Sequence, residues 1–521
     1  MKNKLLLLLL LGHFLKELVW LAIIPIWHFP DEEQHFSEVA FYGEQNRFPK
    51  GSELDVTEEI ARSSEVLGTK RDSRGINKFT YHPEFRIPYI KGEVGLYEDI
   101  IKSLNSEQNR QTMAKKEASR YGPVYYFLAA IPYKIFFNDD LFIRVFSSRF
   151  ISVILSMLNI FFIYLISKEI FSKEYLRLSL TFLVAFQPMF SFVSAGVNSD
   201  NFFNLIFTLI LWFCLKIFLG SKRLEKNNFS LLLLIGLIIT LTLGFYTKKQ
   251  IFISLPIIAF SFFLSLLTQS RKTAKQKLGI LGLIGLFFLI ISKGKIGIPE
   301  YNPYGTSKLV ESFFQYIFWH LRHTVAETIP WYWGVFNWLG VTLPRWVNRV
   351  QARLLIFATF GILVYFIKQI RKKFSSKNNL KIVFLLSSAF IYYFSVICWD
   401  YFFRKTQGFS FGIQGRYFFP TIVSHMLFVI LGLANLIPEK LQKVFSKIVC
   451  CWWLVLSLIG LYTASSAYYQ VFPLFTFLNQ ASQYKPEILK GLGLVVVFLS
   501  FIISSAFFVV SFFRFNERKI K

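Results

Sequence analysis

Apolar runs long enough to cross the ~30 Å hydrocarbon core of a bilayer as helices recur along most of the chain. The first covers about residues 5–27, with Lys16 and Glu17 near its middle. Charges at that depth are expected to face other helices rather than lipid. Further spans are expected near 149–167, 175–195, 201–219, 230–246, 250–268, 278–292, 351–370, 381–398, 417–436, 448–467 and 489–513, about twelve with the first. A polar segment, about 30–120, holds too few apolar runs to span and fits a folded loop with short helices on the membrane surface. The run YGPVYYFLAAIPYKIFF, residues 121–137, is short and aromatic, carries Pro132 and Lys134, and leads into Asn138-Asp139-Asp140. It is read as an interfacial or re-entrant helix, which closes a large first loop over 28–148.

Composition agrees with this pattern. Of 521 residues, 54% are hydrophobic and 19% aromatic, too apolar for a set of soluble domains. The expectation is therefore an all-α, polytopic membrane protein. The net charge of +27 does not form a nucleic-acid stripe, because the basic residues sit in short loops between apolar runs. Every second loop is basic: KEIFSKEYLR, SKRLEKNN, QSRKTAKQK, KQIRKKFSSKNNLK, EKLQKVFSK and the tail RFNERKIK. All fall on the side of the N-terminal MKNK, so the positive-inside rule predicts cytoplasmic termini. Counting 121–137 as a full span would throw most of these loops outside. The start imitates a signal peptide, but apolar sequence resumes after Lys16-Glu17 and no A-x-A-like site follows, which predicts an uncleaved signal anchor. The four cysteines lie within or at the ends of expected spans and imply no disulfide framework.

With that topology the opposite, external face receives the unusual residues. HFPDEEQHF, residues 28–36, follows the first span at once. Asp31, His35 and Glu38 are spaced by helical turns and can share a face. The turn GVNSDNF brings Asp200, YTKKQ brings Lys248 and Lys249, and GIQGRYFFP brings Gln414, Arg416 and Tyr417. IPWYWGVFNWLG, with Trp333, lies in a long loop on the same side. Carboxylates such as Asp31, Glu32 and Asp200 can serve as a general base on a hydroxyl. The cations Lys248, Lys249 and Arg416 can hold a phosphate and stabilise charge as it leaves. A phosphate held at a membrane surface suggests a lipid-linked donor. Each piece also has a purely structural reading. Asp31 with Gln34 forms a D-x-x-Q capping box, and Asp200 can cap the helix that follows it. The two lysines can snorkel, Arg416 can anchor at the interface, and the tryptophans can belong to an aromatic belt. No Walker motif and no GxSxG elbow is present. A metal on Asp31, Glu32, His35 and Asp200 is conceivable, but no tight ligand spacing supports one, so no cofactor is expected.

These residues resemble the GT-C class of integral membrane glycosyltransferases, which use polyprenyl-phosphate-linked sugars on the external face. That class carries an acid in the first external loop, matched here by PDEEQH at Asp31 and Glu32. Its surface helix is similar to 121–137, with Tyr121 at its start and Gly122-Pro123 where the class often has Pro-Pro. The stretch with Arg144 and Arg149 is similar to the one leading into its second span. A second acid is matched by Asp200 and a lysine heading a later span by TKKQIFISLP. Within the class the chain most resembles the bacterial domain-of-unknown-function family 2142. The patterns P-D-E-x-x-H-F, N-x-D, W-G-x-F-x-W and G-x-Q-G-R-Y-x-x-P of that family look like 30–36, 198–200, 333–338 and 412–420. The likeness covers about residues 10–436, and the third acid, Glu33, departs from it.

The resemblance implies a GT-C-like catalytic module over 1–292, an external aromatic loop over 293–350 and a C-terminal bundle over 351–521. The implied function is inverting transfer of a sugar from a polyprenyl-phosphate donor to an extracytoplasmic acceptor, in the plasma membrane of a bacterium. Asp31 is the expected base, with Glu32 as the alternative, and Asp200 orients acceptor or base. Lys248, Lys249 and Arg416 are expected on the donor phosphate, with His35, Tyr121, Arg149, Trp333, Gln414 and Tyr417 as acceptor-binding or supporting groups. The rival readings are a transporter or flippase, which needs the cations but no base, and a polymerase of lipid-linked glycans. No internal repeat favours the transporter. The loop 51–117 is expected to choose the acceptor.

Overall fold

The first apolar run winds into α1 (Lys2–Ile23), the first crossing. The computed structural model describes residues 2–49, 56–70, 93–115, 121–220, 227–266, 271–292, 312–337, 339–371, 377–410 and 412–515. Trp338, the stretches 51–55, 71–92 and 116–117 of the expected acceptor loop, 293–311 of the aromatic loop and most of the basic tail lie outside these.

After α1 the chain turns through Pro25 and Pro30 into α2 (Glu32–Gln45). The rest of the first loop is built from short pieces: β1 (Val56–Thr57), α3 (Glu58–Val66), α4 (Glu93–Ser103), α5 (Glu107–Gln111) and β2 (Met113–Lys115), with β1 and β2 paired antiparallel. Next comes α6 (Val124–Ile135), whose 12 residues reach about 18 Å at 1.5 Å per residue. That is too short to cross, as expected for 121–137, and α6 packs between α2 and the following helix. α7 (Leu141–Ile170) has 30 residues and starts ahead of the expected span, because Asp140 caps it by accepting a 3.0 Å hydrogen bond from the Ile143 N–H.

The expected single span over 175–195 is broken. α8 (Glu174–Ala185) and α9 (Pro188–Ser194) meet at 60°. Pro188 cannot donate to a helical ladder, and the Gln187 side chain caps the new helix at Phe190. The break leaves the Ala185 carbonyl without a helical partner, and α1 supplies two donors to it. His13 Nδ1 lies 3.0 Å away and Lys16 Nζ also reaches it. Lys16 donates further to Ser191 Oγ at 2.5 Å and stands 3.1 Å from Glu17. The mid-span charges are fully buried against helices, as their depth requires.

The chain continues through α10 (Asp200–Ile217), α11 (Asn227–Phe245), a 3-10 turn (Lys249–Ile253) leading into α12 (Ser254–Leu266), and α13 (Arg271–Ser292). α14 (Phe313–His323) passes by a π-helical turn (Thr324–Thr328) into α15 (Ile329–Trp333), then the strands β3 (Val335–Phe336) and β4 (Val341–Thr342) form a small antiparallel pair. α16 (Arg345–Arg371) and α17 (Lys377–Gln407) follow, then a 3-10 turn (Gly415–Thr421) leading into α18 (Ile422–Asn435), α19 (Gln442–Tyr468), α20 (Leu474–Ala481) and α21 (Leu492–Arg514). α21 returns to pack along α1, and α16 packs along α18.

The protein is an all-α, multi-pass membrane protein with a first loop that carries short helices. Among the described residues nine helices are long and apolar enough to cross a membrane, or ten with α8–α9 taken as one span. The expected spans 230–246 and 278–292 are the helices α11 and α13, which fall outside that set.

Candidate active site

The turn between α1 and α2 is held by one arginine from α7. Arg149 is fully buried. Its Nη1 donates to the carbonyls of Leu21 (3.3 Å) and Ile24 (2.8 Å), and its Nη2 to that of Pro25 (2.9 Å). The same guanidinium grips Glu32 with both arms, Nε to Oε1 at 2.7 Å and Nη2 to Oε2 at 2.6 Å. Glu32 also accepts from the backbone N–H groups of Trp27 (3.1 Å) and Val197 (3.3 Å). This fork-to-fork pair ties the end of α1, the start of α2 and the loop before α10 together. Glu32 and Arg149, expected as alternative base and acceptor support, are both consumed by this bracing.

Asp31 stands on the braced turn in the left-handed backbone region (φ 58°), as does Trp27 (φ 62°). The strained conformation turns the Asp31 side chain away from capping, and it makes no cap hydrogen bond to α2. The capping-box reading is therefore not realised. Asp31 is 36% exposed at its side chain, and its Oδ2 lies 4.0 Å from Arg416 Nη2.

Asp200 does not act as the cap of its helix either. Asn198 Oδ1 accepts from the Asp200 N–H at 2.7 Å, and the Asn198 N–H donates to the Tyr125 hydroxyl at 2.9 Å. The N-x-D pattern thus frees the Asp200 carboxylate to pair with Lys248. Lys248 is mostly buried, and its ammonium sits 4.4 Å from the centre of the Tyr121 ring. Gly122 explains why these two come together. Its N–H donates to the Thr247 carbonyl at 3.0 Å, and a Cβ there would lie 2.0 Å from the Tyr246 carbonyl oxygen. Lys249 points elsewhere: it is exposed and forms no ion pair among the described residues.

Arg416 comes from the other half of the chain. Its turn is fixed by the Ile413 carbonyl, which accepts from Thr328 Oγ1 (3.2 Å) and His323 Nε2 (3.3 Å). Gly415 lets this turn press on α15, since a Cβ would lie 2.3 Å from the Tyr332 nitrogen. Arg416 is only 8% exposed, and its Nε and Nη1 find no hydrogen-bond acceptor among the described residues. Gln414 Oε1 is likewise without a donor there. The Tyr417 ring lies 5.7 Å from the guanidinium carbon. Trp333 does not line this group. It is buried in the core, edge-on to Trp453 at 5.8 Å.

His35 completes the cluster. Its ring lies nearly parallel to those of Tyr121 and Tyr126, with centroids 5.7 and 5.9 Å away, and its Nδ1 lies 2.7 Å from the Tyr126 hydroxyl. Burial pushes its pKa down to about 4, with Asp31, Lys248, Asp200 and Arg416 all acting on it electrostatically. One turn on, burial pushes Glu38 up to about 9 against hydrogen bonds from Tyr126 and Tyr42. Among the described residues no three His, Cys, Asp or Glu side chains gather to hold a metal ion.

Glu38 gives a pH signature. Its folded pKa is raised, so its contribution to stability is full below pH 4.5 and declines as pH rises through about 9. Glu38→Gln is expected to gain stability relative to wild type by up to about 1.4 kcal/mol per pH unit across that window. His35 titrates alike in both proteins and cancels in the difference. Thermal unfolding of both proteins between pH 5 and 9 reads this, and a pH-independent difference would place a charged carboxylate at Glu38.

Sequence reasoning missed Tyr126 and Asn198. Tyr126 lies in a run read as an interfacial or re-entrant helix, where a buried hydrogen-bonding tyrosine does not stand out, whereas Asn198 was visible in the N-x-D pattern without a role.

Among solved structures, the fold is similar to the Archaeoglobus fulgidus oligosaccharyltransferase in complex with Zn and sulfate, with TM-score 0.47 and 15% identity, covering 88% of this chain and 53% of that one. It is also similar to ArnT from Cupriavidus metallidurans bound to undecaprenyl phosphate, with TM-score 0.39 and 10% identity, covering 95% and 76%. The chain thus spans about half the length of the oligosaccharyltransferase structure. No curated protein matches the chain in sequence. The family described as "Predicted membrane protein (DUF2142)" matches residues 14–425, and the chain belongs to that family.

Proposed function

We propose that the protein is a membrane glycosyltransferase that moves a sugar from a polyprenyl-phosphate donor to an extracytoplasmic acceptor with inversion. The observation that carries this reading is the pair of unsatisfied donors, Nε and Nη1, on the buried Arg416. A buried guanidinium with two donors unsatisfied is costly, and an anion accepting from either would relieve part of that cost. Asp31, half-buried, stands 4.0 Å from Nη2 of the same guanidinium, so a base and an anion seat adjoin.

In the proposed step the acceptor oxygen attacks the anomeric carbon as its proton passes to the Asp31 carboxylate. The bond from the anomeric carbon to the phosphate oxygen breaks, and its electron pair stays on the phosphate, held by Arg416 with Lys248 near. Asp200 keeps Lys248 in place. Glu32 and Arg149 hold the Asp31 turn, and Lys249 lies outside the step. Arg416 reaches the site from the C-terminal bundle, so the site lies where the proposed modules of 1–292 and 351–521 meet. The alternation of basic loops supports an external site with cytoplasmic termini.

Binding of polyprenyl phosphate to purified protein in lipid tests the anion seat. Charge-assisted hydrogen bonds are worth about 1.5–3 kcal/mol, so Arg416→Gln is expected to weaken binding roughly 10- to 100-fold, while Asp31→Asn retains it. Unchanged affinity in Arg416→Gln would remove Arg416 from donor binding.

A further inference from the structure

One apolar surface takes no part in the proposed transfer, and it lies beyond residues 14–425, the part matched by the family. The chain carries no charged side chain from Tyr469 to Tyr484. In the loop between α19 and α21, Phe472, Leu474, Phe475 and Ile488 are 63–81% exposed. Single exposed apolar residues are ordinary, but four large ones in one short loop form a patch, and a patch marks a contact surface.

The loop is tightly held. The Gln470 N–H donates to the Gln480 side chain at 2.7 Å and the Gly491 N–H to Ser482 Oγ at 2.8 Å, which ties both arms to α20 and its end. The base of the loop is pinned to the first crossing. The Tyr469 hydroxyl donates to the Ile23 carbonyl at 2.6 Å, and Lys485 Nζ donates to that of Ala22. Both carbonyls belong to the last turn of α1, where a helix leaves its acceptors unsatisfied. The Tyr484 N–H adds a 2.6 Å hydrogen bond to Glu98 on α4. The loop is thereby fixed at the boundary where α1 and α19 stop and α21 starts.

The adjoining surface identifies the occupant. On α21, Leu492, Val496, Leu499, Ile503 and Phe507 are exposed and recur at helical spacing, an apolar stripe along a spanning helix that faces lipid. Ile488 stands at the head of this stripe, so close that a side chain on Gly493 would run into its carbonyl. Glu487 beside it is paired with Lys490 at 2.8 Å. We propose that α20 and its flanks are an interfacial foot that seats Phe472, Leu474, Phe475 and Ile488 in the adjoining leaflet. The partner is the boundary between lipid headgroups and acyl chains, where aromatic and apolar side chains of surface helices settle.

The test is electron paramagnetic resonance of the full chain in phosphatidylcholine vesicles. Nitroxide labels are placed singly by Phe475→Cys and Ile488→Cys, with Cys214, Cys398, Cys450 and Cys451 changed to alanine. Power saturation compares collisions with oxygen, which concentrates in lipid, and with a water-soluble nickel chelate. Ile503→Cys on the α21 stripe is the lipid reference, and Glu439→Cys, at an exposed position, is the water reference. The oxygen-to-nickel ratio at Phe475 and Ile488 is expected to exceed that at Glu439 several-fold. A ratio equal to that at Glu439 would overturn the proposal. Protection from both reagents would overturn it too, and dipolar broadening between labels would then identify a second copy of this chain as the occupant. Benzoylphenylalanine at position 475 of the chain with its native cysteines gives an independent reading. Irradiation is expected to attach lipid, whereas a cross-linked dimer or no lipid adduct would count against the foot. Neither measurement needs turnover, so absent sugar transfer leaves this inference standing.

Discussion

Arg149→Met is expected to destabilise the fold by about 3–5 kcal/mol, the usual range for removing one partner of a buried ion pair. The variant leaves Glu32 charged and fully buried and strips donors from the carbonyls of Leu21, Ile24 and Pro25. Against a typical total of about 5–15 kcal/mol, that is a large fraction. Removing both charges in Arg149→Met with Glu32→Leu should be less damaging than the single change, because no bare charge remains buried. Thermal unfolding in lipid measures both. A double variant as unstable as the summed singles would mean that the pair does not brace the turn as a unit.

Asp31→Asn is expected to leave the fold intact and lower sugar transfer by at least about a hundredfold. The carboxylate caps no helix and is partly exposed, so an isosteric amide costs little structurally. A positioned general base contributes roughly 10²–10⁴ in rate, and an amide cannot take the proton. An ordinary aspartate is a weak base, with pKa about 3.9, so its rate advantage must come from position beside the acceptor. Arg416 Nη2 stands 4.0 Å from Asp31 Oδ2. Retained transfer in a well-folded Asp31→Asn protein would remove it from this role.

The all-α fold was legible because a membrane helix announces itself through hydropathy, and the loop charges set a consistent topology. The short 121–137 segment was legible for the same reason, since only a non-spanning reading kept the basic loops on one side. The convergence of Asp31, Asp200, Lys248 and Arg416 was foreshadowed by the single side of the membrane to which the loop-charge pattern assigns all four. Their pairing was not, because it depends on contacts such as that of Gly122 with the Tyr246–Thr247 turn, over a hundred residues away. Glu32 and Asp31 look interchangeable in PDEEQH. Only Arg149, packed against the end of α1, separates them. Lys248 and Lys249 look equivalent too, and the 3-10 turn that begins at Lys249 sends one inward and leaves the other exposed. Trp333 shares its composition with an interfacial belt, yet α15 buries it against α19. The α8–α9 break was signalled by Pro188 alone, and the buried Lys16 acquires its reason once the freed Ala185 carbonyl is seen.

The proposed activity is transfer of a sugar rather than movement of a lipid. The most direct measurement is release and transfer of radiolabelled sugar from polyprenyl phosphate by purified protein in lipid, with a membrane-extract acceptor pool, for wild type and Asp31→Asn. Transfer by wild type is expected to fall at least about a hundredfold in the variant. Tight donor binding by both proteins with no transfer by either, across a broad set of donors and acceptors, would contradict it and favour a transporter.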